Sequence, residues 1–256
     1  MSVTSLQGSC VLITGASSGI GRACAEAFAA QGTRLVLTAR RRDRLDKLAA
    51  GLDVPTLPVE LDVRDRVAVE QVVRTLPDEW AAVDVLVNNA GLAAGLDPVQ
   101  DGDPDDWDRM IDTNVKGLLY VTRAVLPGMI SRGWGHVINI GSIAGHETYP
   151  NGAVYCATKA AVDRITAGLR LDVLGTGIKV STIDPGLVET EFSTVRFHGD
   201  EERASRVYAG VTPLTGADIA ETVVWVASRP AHVQVAEVIV LAAAQASATT
   251  VYRGDA

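Results

Sequence analysis

Tyr155 and Lys159, in the stretch YCATK, stand four residues apart where the sequence has helical character, so a phenol and an ammonium emerge on one face about a turn apart. Taken alone, such a pair is ordinary helix surface. What surrounds the pair, a redox cofactor above all, decides whether it has a chemical task. The chain also carries a place for such a cofactor. TGASSGIG, residues 14–21, supplies Gly15, Ser17, Ser18, Gly19, Ile20 and Gly21, where glycines let backbone approach a pyrophosphate and helix N-terminal amides meet its charge. In TARRR, Ala39 takes the position where an acidic residue would accept hydrogen bonds from adenosine ribose, and Arg40 and Arg41 follow it. That exchange favours a 2′-phosphate, hence NADP over NAD.

The surrounding elements are those needed to hold these groups. CVLITG at 10–15 is a short apolar run ending at glycine, and an Ala-rich amphipathic stretch follows from Ile20 to Gln31. The strand pattern repeats at 34–39, 54–61, 83–91, 136–142 and 178–186, with helix-like segments between. Strands apolar on both faces, alternating with helices, predict an α/β, Rossmann-type doubly wound parallel sheet in one domain, 1–256. Ligands of such sheets sit where the strands' carboxyl ends open a crevice, so function is expected at strand ends. Two motifs fall there: LDV, offering Asp62 and Val63 to the adenine, and NNAG, ending the fourth strand with Asn89, Ala90 and Gly91.

Composition narrows the classes. Of 256 residues, 47% are hydrophobic and 21% charged, a globular balance. A net charge of -8 argues against a nucleic-acid or anionic-membrane surface, both of which require positive potential. The N-terminus lacks a secretory pattern and no run reaches membrane-spanning length, which predicts a cytoplasmic protein. Cys10, Cys24 and Cys156 have neither disulfide-framework nor zinc spacing and are expected to be buried thiols. His136, His146, His198 and His232 share no ligand spacing, and no metal is expected.

TGASSGIG, NNAG, GSIAG at 141–145 and YCATK together resemble the short-chain dehydrogenase/reductase family along nearly the whole chain. The resemblance implies that Tyr155 is the general acid/base, that Lys159 holds the nicotinamide ribose and favours the phenolate, that Ser142 positions the substrate carbonyl, and that Asn114 supports a proton-relay water. It also implies that PGLVETEF, with Pro185, Gly186, Val188 and Thr190, faces the nicotinamide. Family members are usually tetramers joined through helices equivalent to 104–131 and 152–174, so a homotetramer is expected. Within the family, NNAGLAAGLDP, GHVINIGSIAG and PGLVETEFSTVRFHGD resemble NADP-dependent 3-hydroxy acid dehydrogenases. The implied reaction is reversible hydride transfer between NADP and a small 3-hydroxy acid or its semialdehyde. The alternatives are a sulfoacetaldehyde or other aldehyde/ketone reductase, or a cofactor-sensing regulator without turnover. A regulator has no need of the full set Asn114, Ser142, Tyr155 and Lys159.

Residues 189–212 are polar with weak periodicity and are read as a flap over the crevice. Within it, Arg196 lies between Val195 and Phe197, where its guanidinium could meet a substrate anion, and Tyr149 is expected to line the same pocket. The tail departs from relatives that carry Pro-x-x-Gln: here Ala242, Ala243 and Ala244 precede Gln245, which leaves its packing role open.

Overall fold

The computed structural model describes residues 4–254. Seven parallel strands form one sheet: β1 (Cys10–Thr14), β2 (Arg34–Ala39), β3 (Thr56–Glu60), β4 (Val85–Asn88), β5 (Gly135–Ile140), β6 (Ile178–Pro185) and β7 (Glu237–Val240). Their spatial order is β3-β2-β1-β4-β5-β6-β7. The chain winds outward from β1 through β2 to β3, then returns to place β4 on the other side of β1. The reversal opens a crevice at the carboxyl ends of β1 and β4. β7, with its alternating exposure, was not anticipated: EVIV is short and begins with a charge, and only pairing with Thr182–Pro185 reveals it as the edge strand.

Alternation along each strand divides the core. Val11 and Ile13 face one apolar cluster with Phe28, Ile219 and Val223; Cys10 and Leu12 face another with Val121, Val125 and Met129. The first cluster is covered by α1 (Gly19–Ala29). α2 (Arg42–Ala50) joins it on the first cluster through Leu45, whereas α3 (Arg66–Arg74) and α4 (Asp78–Ala81) cover the second through Val69 and Trp80. α5 (Pro104–Ile111) and α6 (Leu118–Arg132), with α7 (Ala153–Asp172), follow β4 and β5. The short α8 (Phe192–Arg196) and α9 (Glu201–Arg206) lie in the 189–212 segment, and α10 (Gly216–Ala227) packs beside α1 over the first cluster. Each fully buried large apolar side chain, such as Phe28 or Ile219, contributes roughly 1.5–3 kcal/mol.

Local chemistry sets the helix ends. Asp103 accepts a hydrogen bond from the Asp105 amide and Pro104 starts α5, while Thr215 and Asp218 form a reciprocal capping box on α10. The sequence predicts one helix over 104–131, but the structure interrupts it with a π turn, Asp112–Gly117. Gly117 belongs to the interruption for steric reasons, since a Cβ there would lie 2.6 Å from Val63 Cγ2. The predicted flap is helical rather than loop-like, because Asp200 caps α9 and α8 turns Phe192 inward.

Candidate active site

The carboxyl ends of the strands enclose a cleft of about 520 Å³. At its floor, Gly15 and Gly19 adopt φ of 66° and 52°, conformations that L side chains rarely take. A Cβ on Gly15 would stand 2.9 Å from Ala90 Cα, so the turn needs glycine for close approach as well. Ser18 caps α1 without a side-chain hydrogen bond, leaving the first-turn amides to a ligand. Ser17 and Ile20 complete this wall of the cleft. Gly21 lies off the lining of the cleft, and a Cβ there would fall 2.4 Å from Asn89 Nδ2 and 2.5 Å from the Gly15 carbonyl. It serves helix-to-strand packing.

The NNAG motif is bolted to β1. Asn89 and Ala90 amides both donate to the Thr14 hydroxyl, at 3.0 and 2.9 Å, while Asn89 Nδ2 donates to the Thr14 carbonyl at 2.8 Å. These bonds fix Asn89, Ala90 and Gly91 along the cleft. At the far end Asp62 and Val63 line the same surface. Burial pushes the Asp62 carboxyl up, but hydrogen bonds from Arg64 outweigh it and hold the group below the usual range.

Arg40 and Arg41 both line the cleft beyond Ala39. Arg40 is exposed, whereas Arg41 Nη2 donates to Ser17 Oγ at 3.1 Å and to Ser18 Oγ at 2.9 Å. Arg41 Nη1 also meets Glu191 at 3.0 Å, and Arg44 pairs with that same carboxylate at 2.6 Å. The basic end of the cleft is thus tied to the start of the flap. A phosphorylated dinucleotide fits these residues: tight glycine backbone and helix amides for the pyrophosphate, an uncharged Ala39, and two guanidinium groups beside it.

Tyr155, Lys159 and Ser142 converge on the opposite wall. Lys159 Nζ donates to the Ile140 carbonyl at 2.9 Å and lies 6.0 Å from the Tyr155 ring centroid. Burial brings its pKa down to about 8, opposed by the charges of Asp184 and Asp163. Burial and then Tyr149 push Tyr155 well above the ordinary value, and the groups pulling it down are Ser142, through a hydrogen bond, and Arg196, through its charge. Ser142 Oγ reaches the Pro185 carbonyl at 3.4 Å and accepts from the Ala144 amide at 3.1 Å.

Asn114 stands behind this wall, in the π turn. Its Oδ1 accepts from the Leu92 amide at 2.9 Å, while Nδ2 donates to the Leu92 carbonyl at 2.8 Å and to Thr158 Oγ1 at 3.0 Å. The side chain therefore joins the loop after β4 to α7 one residue from Lys159. π turns recur at functional sites because they free a backbone group from the helical ladder.

The segment after β6 lines the remaining side. Val188 and Thr190 line the cleft beside Pro185 and Gly186, and Val188 pairs with Leu214. Phe192 meets Tyr155 edge to face at 5.6 Å between centroids. Arg196 Nε donates to the Gly95 carbonyl at 3.2 Å, and its guanidinium lies 5.3 Å from the Tyr149 ring centroid and 5.6 Å from that of Tyr155. Sequence reasoning placed Arg196 and Tyr149 together and missed Phe192. It also left the tail open, and there Gln245 makes the decisive contacts. Its Oε1 accepts from the Leu187 amide at 2.9 Å and Nε2 donates to the Ser247 carbonyl at 3.1 Å, locking the turn after Pro185. The three cysteines are buried and free.

Comparisons with known proteins agree with this geometry. The family model described as short chain dehydrogenase matches residues 9–201. NADP-dependent 3-hydroxy acid dehydrogenase YdfG of Escherichia coli K12 is 49% identical over 226 residues, 88% of this chain and 91% of the relative. The NADP-dependent 3-hydroxy acid dehydrogenase of Schizosaccharomyces pombe is 46% identical over 256 residues, covering 98% and 99% of the two chains. Among solved structures, the closed form of a serine dehydrogenase complexed with NADP+ superposes with a TM-score of 0.92 at 46% identity, covering 96% of this chain and all of that one. A tyrosine and lysine one turn apart beneath a glycine-rich strand-to-helix turn, carried on this sheet order, place the chain in the short-chain dehydrogenase family, to which it belongs.

Proposed function

We propose that the chain is an NADP-dependent dehydrogenase that interconverts a small 3-hydroxy acid and its carbonyl form. The observation that carries the reading is Arg196, a cation stacked against the rings of Tyr149 and Tyr155 on the pocket wall that also holds Ser142. A guanidinium there suits a carboxylate whose hydroxyl reaches the phenol. The similarity to 3-hydroxy acid dehydrogenases and to a serine dehydrogenase supports the same substrate class.

NADP, when bound, supplies the hydride acceptor or donor, and the protein orients it. Gly15, Ser17, Ser18, Gly19 and Ile20 would hold its pyrophosphate, Arg40 and Arg41 its 2′-phosphate, Asp62 and Val63 its adenine, and Asn89, Ala90 and Gly91 its ribose side. Pro185, Gly186, Val188 and Thr190 would face its nicotinamide. Lys159 would reach the nicotinamide ribose from the buried wall, and Ser142 would donate to the substrate oxygen. Tyr155 takes the hydroxyl proton in oxidation and returns it in reduction. Asn114 keeps α7 and the loop after β4 in register.

Homotetramer formation is part of the proposal, supported by exposed apolar groups on α6 and at the end of α7: Leu119, Ile130, Leu171 and, just beyond, Leu174. Residence in the cytoplasm is likewise proposed; among the described residues no helix is long and apolar enough to cross a membrane. A panel of serine, 3-hydroxypropionate, isethionate and uncharged alcohols, followed by NADPH absorbance, tests the substrate class. The highest kcat/KM is expected for a 3-hydroxy acid. A preference for isethionate would move the reading to a sulfonate aldehyde reductase, and a preference for uncharged alcohols would overturn it.

A further inference from the structure

Away from the cleft, four titratable side chains from four segments meet around one imidazole. His146 Nε2, in the turn after Ser142, lies 3.7 Å from Asp163 Oδ2 on α7, 3.2 Å from Asp184 Oδ2 on β6 and 3.6 Å from Glu237 Oε1 on β7. Donor atoms of His146, Asp163 and Asp184 all lie within 4.8 Å of one another. None of the four residues lines the catalytic cleft.

The floor of the cluster is buried, and two of its carboxylate oxygens lack hydrogen-bond geometry to any partner among the described residues. The Asp163 side chain is 3% exposed. Its Oδ1 is buried with no hydrogen-bond partner among the described residues. Asp184, at 0% exposure, accepts from Thr182 Oγ1 at 2.8 Å through Oδ1. That bond aims Oδ2 into the cluster, where it too has no hydrogen bond. Lys159, the nearest buried ammonium on α7, donates to the Ile140 carbonyl rather than to either carboxylate. Buried carboxylates without donors are costly unless they are protonated or meet a cation.

We propose that His146, Asp163 and Asp184 form a binding site for one divalent transition-metal ion of the zinc or manganese class, with Glu237 an acidic group at its rim. An imidazole nitrogen with carboxylate oxygens suits those ions. Donors at about 2.0–2.2 Å from a tetrahedral ion stand roughly 3.3–3.6 Å apart, and His146 Nε2 lies 3.2 and 3.7 Å from the two aspartates, so three protein donors leave the fourth position to water. The Thr182 hydroxyl is the outer partner that orients a ligating carboxylate. His146, at 23% side-chain exposure, and Glu237, at 43%, form a rim open to solvent, while the two aspartates form the base. The ion can therefore enter without unfolding. Bound there, it ties α7 and β6 to the turn that carries Ser142, a stabilising role separate from hydride transfer.

The test uses the full chain, stripped with chelator and dialysed, then titrated calorimetrically with ZnCl2 and separately with MnCl2, with Tm measured in parallel. One ion per chain is expected, with a rise in Tm for the wild type. His146→Ala and Asp163→Asn should each weaken binding by roughly tenfold or more, since even outer-sphere changes cost about that much, and should abolish the rise in Tm. His146→Ala alters a rim residue, so it decides the matter even if Asp163→Asn fails to fold. No binding, binding unchanged in a folded His146→Ala, or binding of Mg2+ or Ca2+ in preference to both transition metals would overturn the assignment.

Discussion

Arg196→Ala separates the anion-binding role of Arg196 from a purely structural one. Two aromatic rings and the Gly95 carbonyl hold the guanidinium in place, so little side-chain freedom remains to be lost when a carboxylate arrives. A charge-assisted hydrogen bond contributes about 1.5–3 kcal/mol, which corresponds to roughly 10–150-fold in kcat/KM for an acidic substrate. The substitution also removes a charge that pulls the Tyr155 phenol down. That second effect falls on every substrate alike, so the informative quantity is a ratio. With 3-hydroxypropionate and an uncharged alcohol of similar size, each at saturating NADP, the acid-to-neutral ratio of kcat/KM should fall at least about tenfold. The backbone bond from the Gly95 amide to the Arg196 carbonyl, 3.0 Å, survives in the variant and limits collapse of this segment. Equal losses on both substrates would assign Arg196 to flap structure, and no loss on either would remove it from the site.

Arg40→Ala should lower the NADP/NAD ratio of kcat/KM by about one to two powers of ten, measured with both cofactors at one substrate concentration; an unchanged ratio would place the 2′-phosphate elsewhere. His136 predicts an acid-sensitive fold. Ser181 Oγ donates to the Val235 carbonyl and so accepts from His136 Nε2 at 2.8 Å, leaving Nδ1 bare and unpartnered in the interior. Burial, with the Lys179 charge, drives the imidazole pKa down to about 3. The unfolded chain, with a histidine pKa of about 6.5, binds the extra proton. The stabilisation is therefore complete above that pH and is lost as pH falls toward 3, by about 1.5–2 kcal/mol between pH 6.5 and 5. Urea unfolding at the two pH values should show this loss, and His136→Gln should remove about that much of the slope; an unaltered slope would contradict the assignment.

The crevice and its walls were legible because their signals are local. A glycine-rich turn between an apolar strand and a helix, an alanine before two arginines, and a tyrosine one turn ahead of a lysine each carry their reason in a few adjacent residues. What escaped was set by tertiary contact. β7 is a strand only because β6 lies beside it, and the π turn around Asn114 arises where Gly117 presses against Val63. The grouping of His146 with Asp163 and Asp184 has no sequence spacing, since three elements deliver it. Gly21 shows the reverse case, a motif residue whose position is explained by packing. The direction of the Tyr155 shift also lay beyond the sequence, because the depth of burial decides whether desolvation or a neighbouring charge prevails.

Tyr155→Phe tests the central claim most directly, since it removes one hydroxyl from a buried ring and leaves the Phe192 contact and the cofactor wall in place. The measurement is the single-turnover rate of NADPH formation from saturating NADP+ and the best 3-hydroxy acid, with NADPH affinity taken by fluorescence on the same preparation. The rate should fall by about 10²–10⁴-fold, the usual contribution of a general acid/base, while NADPH affinity stays near the wild-type value. A variant that binds NADPH normally and transfers hydride at close to the wild-type rate would contradict proton transfer by Tyr155.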